Sequence, residues 1–361
     1  MTAPDTLWDA PWEAAAFRAD VEKHLLCFVD EHAGWLDRLG EDARRLVTAA
    51  RTSVRGGKRF RAAFCYWGHR AVAPADDEPA LLRACGSLEL LHASALVHDD
   101  YMDDSDVRRG RPATHREFAD LHLTQGWRGN PEQYGASAAI LLGDLLLAWS
   151  DEMLHTCGLP AGRVRAAETY FDLARSEVIT GQFLDVSAQA RGASDVDIAM
   201  NVLRYKSAKY SIERPLHIGA ALAGASPELV AQLSGFGLPL GEAFQLRDDL
   251  LGVFGDPETT GKPAGDDLTE GKRTVLTALA LDALPPADAE HLDTSLGRPL
   301  DETRVTRLRE LIDASGARAQ VEQVIDELTD RALTALDQAD IDETARAVLR
   351  TLADAATQRV V

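Results

Sequence analysis

The chain has 361 residues, 45% of them hydrophobic, which is enough to bury a substantial core. It carries 58 acidic against 38 basic side chains, a formal charge of −20. Such an acidic balance excludes nucleic acid or an anionic membrane surface as the main partner, because phosphate backbones reward basic faces.

Long stretches repeat their apolar residues every 3.6 positions, and no run of alternating β-branched residues interrupts them, so the expected fold is all-α. The N-terminal segment, 1–50, reads as helical. It opens with acids and lacks the basic-then-apolar order of a secretory signal. No apolar run reaches the ~18 residues of a membrane span. A cytoplasmic protein without an integral membrane segment is expected. Cys27, Cys65, Cys85 and Cys157 lack paired CxxC spacing and read as buried reduced thiols.

The segment VRGGKRFR, Val54 to Arg61, sets two glycines before Lys58 and Arg61 on the opening turns of a helix. Glycines let backbone amides approach an anion, and Lys and Arg bind phosphate oxygens. The GxxxxGK[ST] spacing of a Walker loop is absent. Next, Asp76 or Asp77 can cap a helix whose stripe runs Leu81, Cys85, Leu88, His92, Ala95, Asp99, Asp103. One face therefore passes from apolar to acidic. Asp99 lies about 16 Å along the axis from Leu88, so a ligand with a charged head and a long greasy tail suits this face. Asp99, Asp100 and Asp103 are spaced to share one side of the helix. A like-charge pair at ~4 Å costs on the order of 4 kcal/mol at an effective dielectric of ~20, so the cluster implies bound cations. Oxygen-only ligands favour Mg²⁺, which takes one or two carboxylates and completes its shell with water and phosphate. Arg108, Arg109 and Arg111 follow at once and call for anions.

Further along, breaks are expected at 124–135, 158–162, 191–195, 224–227, 255–271 and 284–299. Between them GQFLD sets Gln182 three residues before Asp185, and YKSAKY offers Lys206 and Ser207 on a helix. Either alone reads as ordinary helix polarity. The second acidic cluster, FQLRDDLLGVFGD, puts Gln245 on one face with Asp248 and Asp249. A loop rich in glycine and charge then carries Lys262, Asp266, Asp267 and Lys272. The two clusters make chemical sense if their helices face each other across one cavity, as metal sites in bundles do. One domain over 1–361 is therefore expected, with the motifs within about 54–274 and C-terminal helices over 285–361.

Taken in order, GGKRFR, DDYMDDSDVRRGRP, GQFLD, YKSAKY, FQLRDD and GKPAGDDLTEGKRT resemble the trans-prenyl diphosphate synthases, most closely the bacterial geranylgeranyl diphosphate synthase group. The resemblance implies a helical bundle around a deep central cavity, usually a homodimer, that joins isopentenyl diphosphate to an allylic diphosphate primer of five to fifteen carbons. By that likeness Asp99, Asp100 and Asp103 form the first magnesium motif and Asp248 and Asp249 the second, with Asp185 contributing, for about three ions per site. Lys58, Arg61, His92 and Arg109 match positions that hold isopentenyl diphosphate. Arg108, Gln182, Lys206, Gln245 and Lys262 match those around the allylic diphosphate, with Ser207 where many members have Thr, and Lys272 matches the closing basic loop. Catalysis would rest on Asp99, Asp100, Asp103, Lys206, Gln245 and Asp248.

Gly252 stands where many relatives carry a third aspartate, and its loss is expected to weaken a water-mediated contact while Asp248 and Asp249 remain. Ser94 and Ala95, five and four residues before Asp99, are small where bulky residues stop chain growth at fifteen carbons. A product of twenty carbons or longer is expected, with Leu91, Leu88 or a facing helix setting the stop. The nearest rival reading, a class I terpene cyclase, does not need the second basic set. A non-catalytic regulatory subunit should have lost aspartates that are present here.

Overall fold

The computed structural model describes residues 14–192, 194–255 and 265–358. Helices α1 (Ala14–Leu36), α2 (Glu41–Ser53) and α3 (Phe60–Arg70) lead into the central helix α4 (Glu78–Met102).

 Among the described residues, side-chain caps are seen at seven helix starts, Asp77, Asn130, Asp195, Ser226, Thr274, Asp301 and Asp342. Asp77 caps α4 by accepting from the Ala80 amide at 3.1 Å, with Pro79 in the first turn, as the sequence suggests.

A short two-stranded hairpin, β1 (Val107–Arg108) and β2 (Arg111–Pro112), follows α4 within a fold that is all-α, as expected. The chain continues through α5 (Thr114–Thr124), α6 (Pro131–His155), α7 (Ala161–Arg191) and α8 (Val196–Leu203). A π-helical segment, Arg204–Glu213, leads into α9 (Arg214–Ala223) and the long α10 (Pro227–Phe254). The remainder is α11 (Asp266–Glu270), α12 (Val275–Ala283), α13 (Pro286–Ser295), α14 (Glu302–Ala314), α15 (Ala317–Gln338) and α16 (Glu343–Thr357). The break expected over 284–299 thus contains a helix. Pro285 and Pro286 start α13 rather than interrupt it, since the first helical turn has no use for the missing N–H.

Two apolar clusters fill the interior. The larger is built around α1 to α4, α6, α7, α9 and α16, the smaller around α8 and α11 to α14, and α10 and α15 contribute to both. By length and composition α4 is apolar enough to cross a membrane, but 78% of its most apolar window is buried inside the protein, as in a core helix. Cys65, Cys85 and Cys157 are buried, whereas Cys27 is exposed on the outer side of α1.

Helices α3 and α9 cross almost backbone to backbone. A Cβ at Gly219 would stand 1.8 Å from the Cys65 carbonyl oxygen, and one at Gly68 would stand 2.5 Å from that of Leu216. Neither obstacle is a flexible side chain, so the helices themselves must separate to admit a methyl group. Gly219→Ala is expected to destabilise the fold by about 3 kcal/mol in chemical denaturation, despite alanine's better helix propensity.

Candidate active site

The last turn of α4 presents Asp99 and leads into Asp103, its C-cap residue. Lys206, from the π-helical segment, places Nζ 3.0 Å from Asp99 Oδ1 and 2.6 Å from Asp185 Oδ2 of α7. Wider π turns need room, and two glycines supply it: a Cβ at Gly181 would lie 2.2 Å from the Lys206 nitrogen, and one at Gly241 would lie 2.5 Å from the Ala208 oxygen. The glycine of GQFLD is therefore what lets Lys206 reach the acids.

Lys272 closes the other side. Its Nζ lies 2.5 Å from Glu270, 3.2 Å from Asp267 and 3.7 Å from Asp103. Burial opposes charge on Asp99, but Lys206, Lys272 and Arg108 more than offset it and hold the carboxyl well below its usual range. Asp103 is pushed up to about 7, first by burial and then by Asp99. Asp249 is pushed up to about 8 by burial, with Asp267 and Asp248 adding to it against a 2.8 Å hydrogen bond from Gln245.

Asp100 is buried and accepts from Arg108 Nε at 2.7 Å, and the same guanidinium lies 3.8 Å from Asp99, so one arginine links the two neighbouring acids. Arg109 occupies the hairpin turn at φ 52° and donates to the Arg55 carbonyl at 2.7 Å, tying this turn to the GGKR loop. Lys58 precedes α3 instead of lying on it, because Arg59, at φ 56°, is the N-cap. The Gly56 amide donates to Glu22 at 2.7 Å, and buried Arg59 is held by Glu22 and Glu89, each at 3.2 Å.

Arg61 lies 4.2 Å over the Tyr210 ring and donates to Ser211 at 2.7 Å. His92 meets the Tyr210 hydroxyl at 3.1 Å, and its pKa is held well below the usual value, first by burial and then by Arg61. Gln182 donates to the Met102 sulfur at 3.7 Å. Ser207 adjoins Lys206 in the π-helical segment. Lys262 lies outside the described residues. Sequence reasoning gave no role to Tyr210, Ser211, Asp267 or Glu270, although all four fall inside or beside the quoted motifs.

Among the described residues no three potential ligands converge on one point. The donor set nevertheless suits Mg²⁺: both Asp103 oxygens are buried without a hydrogen-bond partner, all candidate ligands are oxygens, and this ion needs only one or two carboxylates beside water and phosphate.

Residues 43–314 match the Polyprenyl synthetase family. The chain belongs to that family. It is 31% identical over 328 residues to the geranylfarnesyl diphosphate synthase of Aeropyrum pernix, covering 90% of this chain and 95% of that one. It is 30% identical to the nonaprenyl diphosphate synthase of Mycobacterium tuberculosis, over 75% of this chain and 73% of the other. Among solved structures, the geranylgeranyl pyrophosphate synthase of Corynebacterium glutamicum, complexed with isoprenyl diphosphate and magnesium, superposes with a TM-score of 0.94 at 40% identity, covering 96% of this chain and 100% of that one. This chain is a prenyltransferase that condenses isopentenyl diphosphate with an allylic diphosphate.

The raised carboxyls set a pH dependence in the metal-free enzyme. An unfolded Asp titrates near 3.9, so between pH 6.5 and 8 folded Asp249 keeps a proton that the unfolded chain has lost, and stability falls as pH rises. His69, His92 and His217, whose pKa values are lowered, are neutral in the folded state but about half charged in the unfolded chain near pH 6.5, so they add an opposite slope that fades towards pH 8 and is common to wild type and an Asp249 variant. Wild type is expected to lose on the order of 1 kcal/mol per pH unit relative to Asp249→Asn in denaturation across this window.

Proposed function

We propose that the enzyme extends an allylic primer of five to fifteen carbons to a product of twenty carbons or longer, in a magnesium-dependent ionisation, condensation and elimination. The observation that carries the length is the small pair Ser94 and Ala95, one turn below Asp99 on α4, with Ser94 buried. The names of the relatives span several product lengths and leave this choice to the residues.

Asp99 and Asp103 on one side, with Asp248 and Asp249 on the other, would hold the magnesium, which supplies charge neutralisation for a departing diphosphate. Lys206, Arg108, Gln245 and Lys262 are assigned to the allylic diphosphate, with Ser207 and Gln182 beside them. Fixed positive charge there stabilises the leaving group as its C–O bond breaks. Lys58, Arg61, His92 and Arg109 are assigned to isopentenyl diphosphate, whose double bond attacks the allylic cation before a proton is lost. Buried apolar residues of α4 keep water from that cation. We assign the enzyme to the cytoplasm and to a homodimer. Exposed Ile140 and Leu141 on α6 and Ile179 and Phe183 on α7 support the second copy.

Chromatography of products from farnesyl diphosphate and labelled isopentenyl diphosphate should show twenty carbons or more. Ser94→Phe should shift product from shorter primers toward fifteen carbons. Exclusive fifteen-carbon product from the wild type would contradict the assignment.

A further inference from the structure

Gly252 lies four residues after Asp248 and three after Asp249, on the face of α10 that carries the second acidic motif. The space beside it is filled. A Cβ at Gly252 would stand 1.8 Å from Asp267 Oδ2 and 2.4 Å from Asp267 Cγ. We infer that Asp267 supplies, from α11, the third carboxylate that position 252 lacks, so that Gly252 and Asp267 form a matched pair in the cation site.

Two further observations hold this carboxylate beside the first motif. Leu268, its neighbour, is fully buried, and the Leu268 carbonyl accepts from the Gly297 amide at 3.0 Å, which anchors α11. Lys272 then joins Asp267, at 3.2 Å, to Asp103, at 3.7 Å, whose side chain is 3% exposed and whose oxygens have no hydrogen-bond partner. The carboxylate that replaces the missing acid therefore faces the first motif across one lysine. A consequence is that α11 must be docked for the second motif to be complete.

The inference rests on the proposed magnesium-diphosphate reading, and the test separates the two. Mn²⁺ binding in the presence of inorganic pyrophosphate is followed by electron paramagnetic resonance for the wild type, Asp267→Asn, Asp267→Gly, Gly252→Asp and the double variant Gly252→Asp/Asp267→Gly. Asp267→Asn and Asp267→Gly should each weaken Mn²⁺ binding about tenfold or more, and the double variant should return to within about threefold of wild type. Gly252→Asp alone should give no gain, because its side chain displaces Asp267. Unchanged affinity in Asp267→Asn, or a folded double variant as weak as Asp267→Gly, would overturn the inference. Absence of pyrophosphate-dependent Mn²⁺ binding in the wild type would overturn the functional reading beneath it.

Discussion

Repulsion among carboxylates gathered at the ends of α4 and α10 is the constraint to which the rest of the structure answers. At ~4 Å and an effective dielectric of ~20, one such pair costs on the order of 4 kcal/mol, a large share of a domain's net stability. Lys206 and Lys272 offset it here, each touching acids from more than one element. Their positions depend in turn on distant packing. Gly181 and Gly241 make room for the π-helical segment that carries Lys206. Arg247, next to Asp248, is gripped at 2.7 Å and 2.6 Å by Glu322 of α15 and donates to the Thr357 carbonyl at 2.9 Å, so the C-terminal helices hold the second motif in place.

Backbone strain is concentrated in the same region. Arg59, Asp104 and Arg109 have positive φ, and all three belong to the loops around the site. Left-handed backbone costs a non-glycine residue of order 1 kcal/mol or more, and it persists where surrounding contacts over-determine it. Arg59 is fixed by Glu22 and Glu89, and Asp104 by Arg116 at 2.8 Å. The strain holds basic side chains in place before any diphosphate arrives.

Much of this was legible in the sequence. Asp77 and Pro79 announce α4, and the stripe ending in Asp99 and Asp103 gives its acidic end. What could not be read was which partner each acid takes. Asp99 pairs with Lys206 at 3.0 Å, whereas Asp100, about 100° around the helix, takes the Arg108 Nε hydrogen bond at 2.7 Å. The π winding of Arg204–Glu213 leaves no periodicity signal distinct from an ordinary helix, and the contact between position 252 and Asp267 depends on how α11 packs. Proline at 285 and 286 was read as a break because the same residue ends helices and begins them.

The central claim is that Lys206 and Lys272 stand in for cations that the acids require. A crystal structure with Mn²⁺ and pyrophosphate, using the anomalous signal of the metal, tests it most directly. The account predicts manganese between the α4 and α10 acids, with Lys206 withdrawn from Asp99 toward the pyrophosphate. Pyrophosphate bound without manganese, and Lys206 still paired to Asp99, would contradict it.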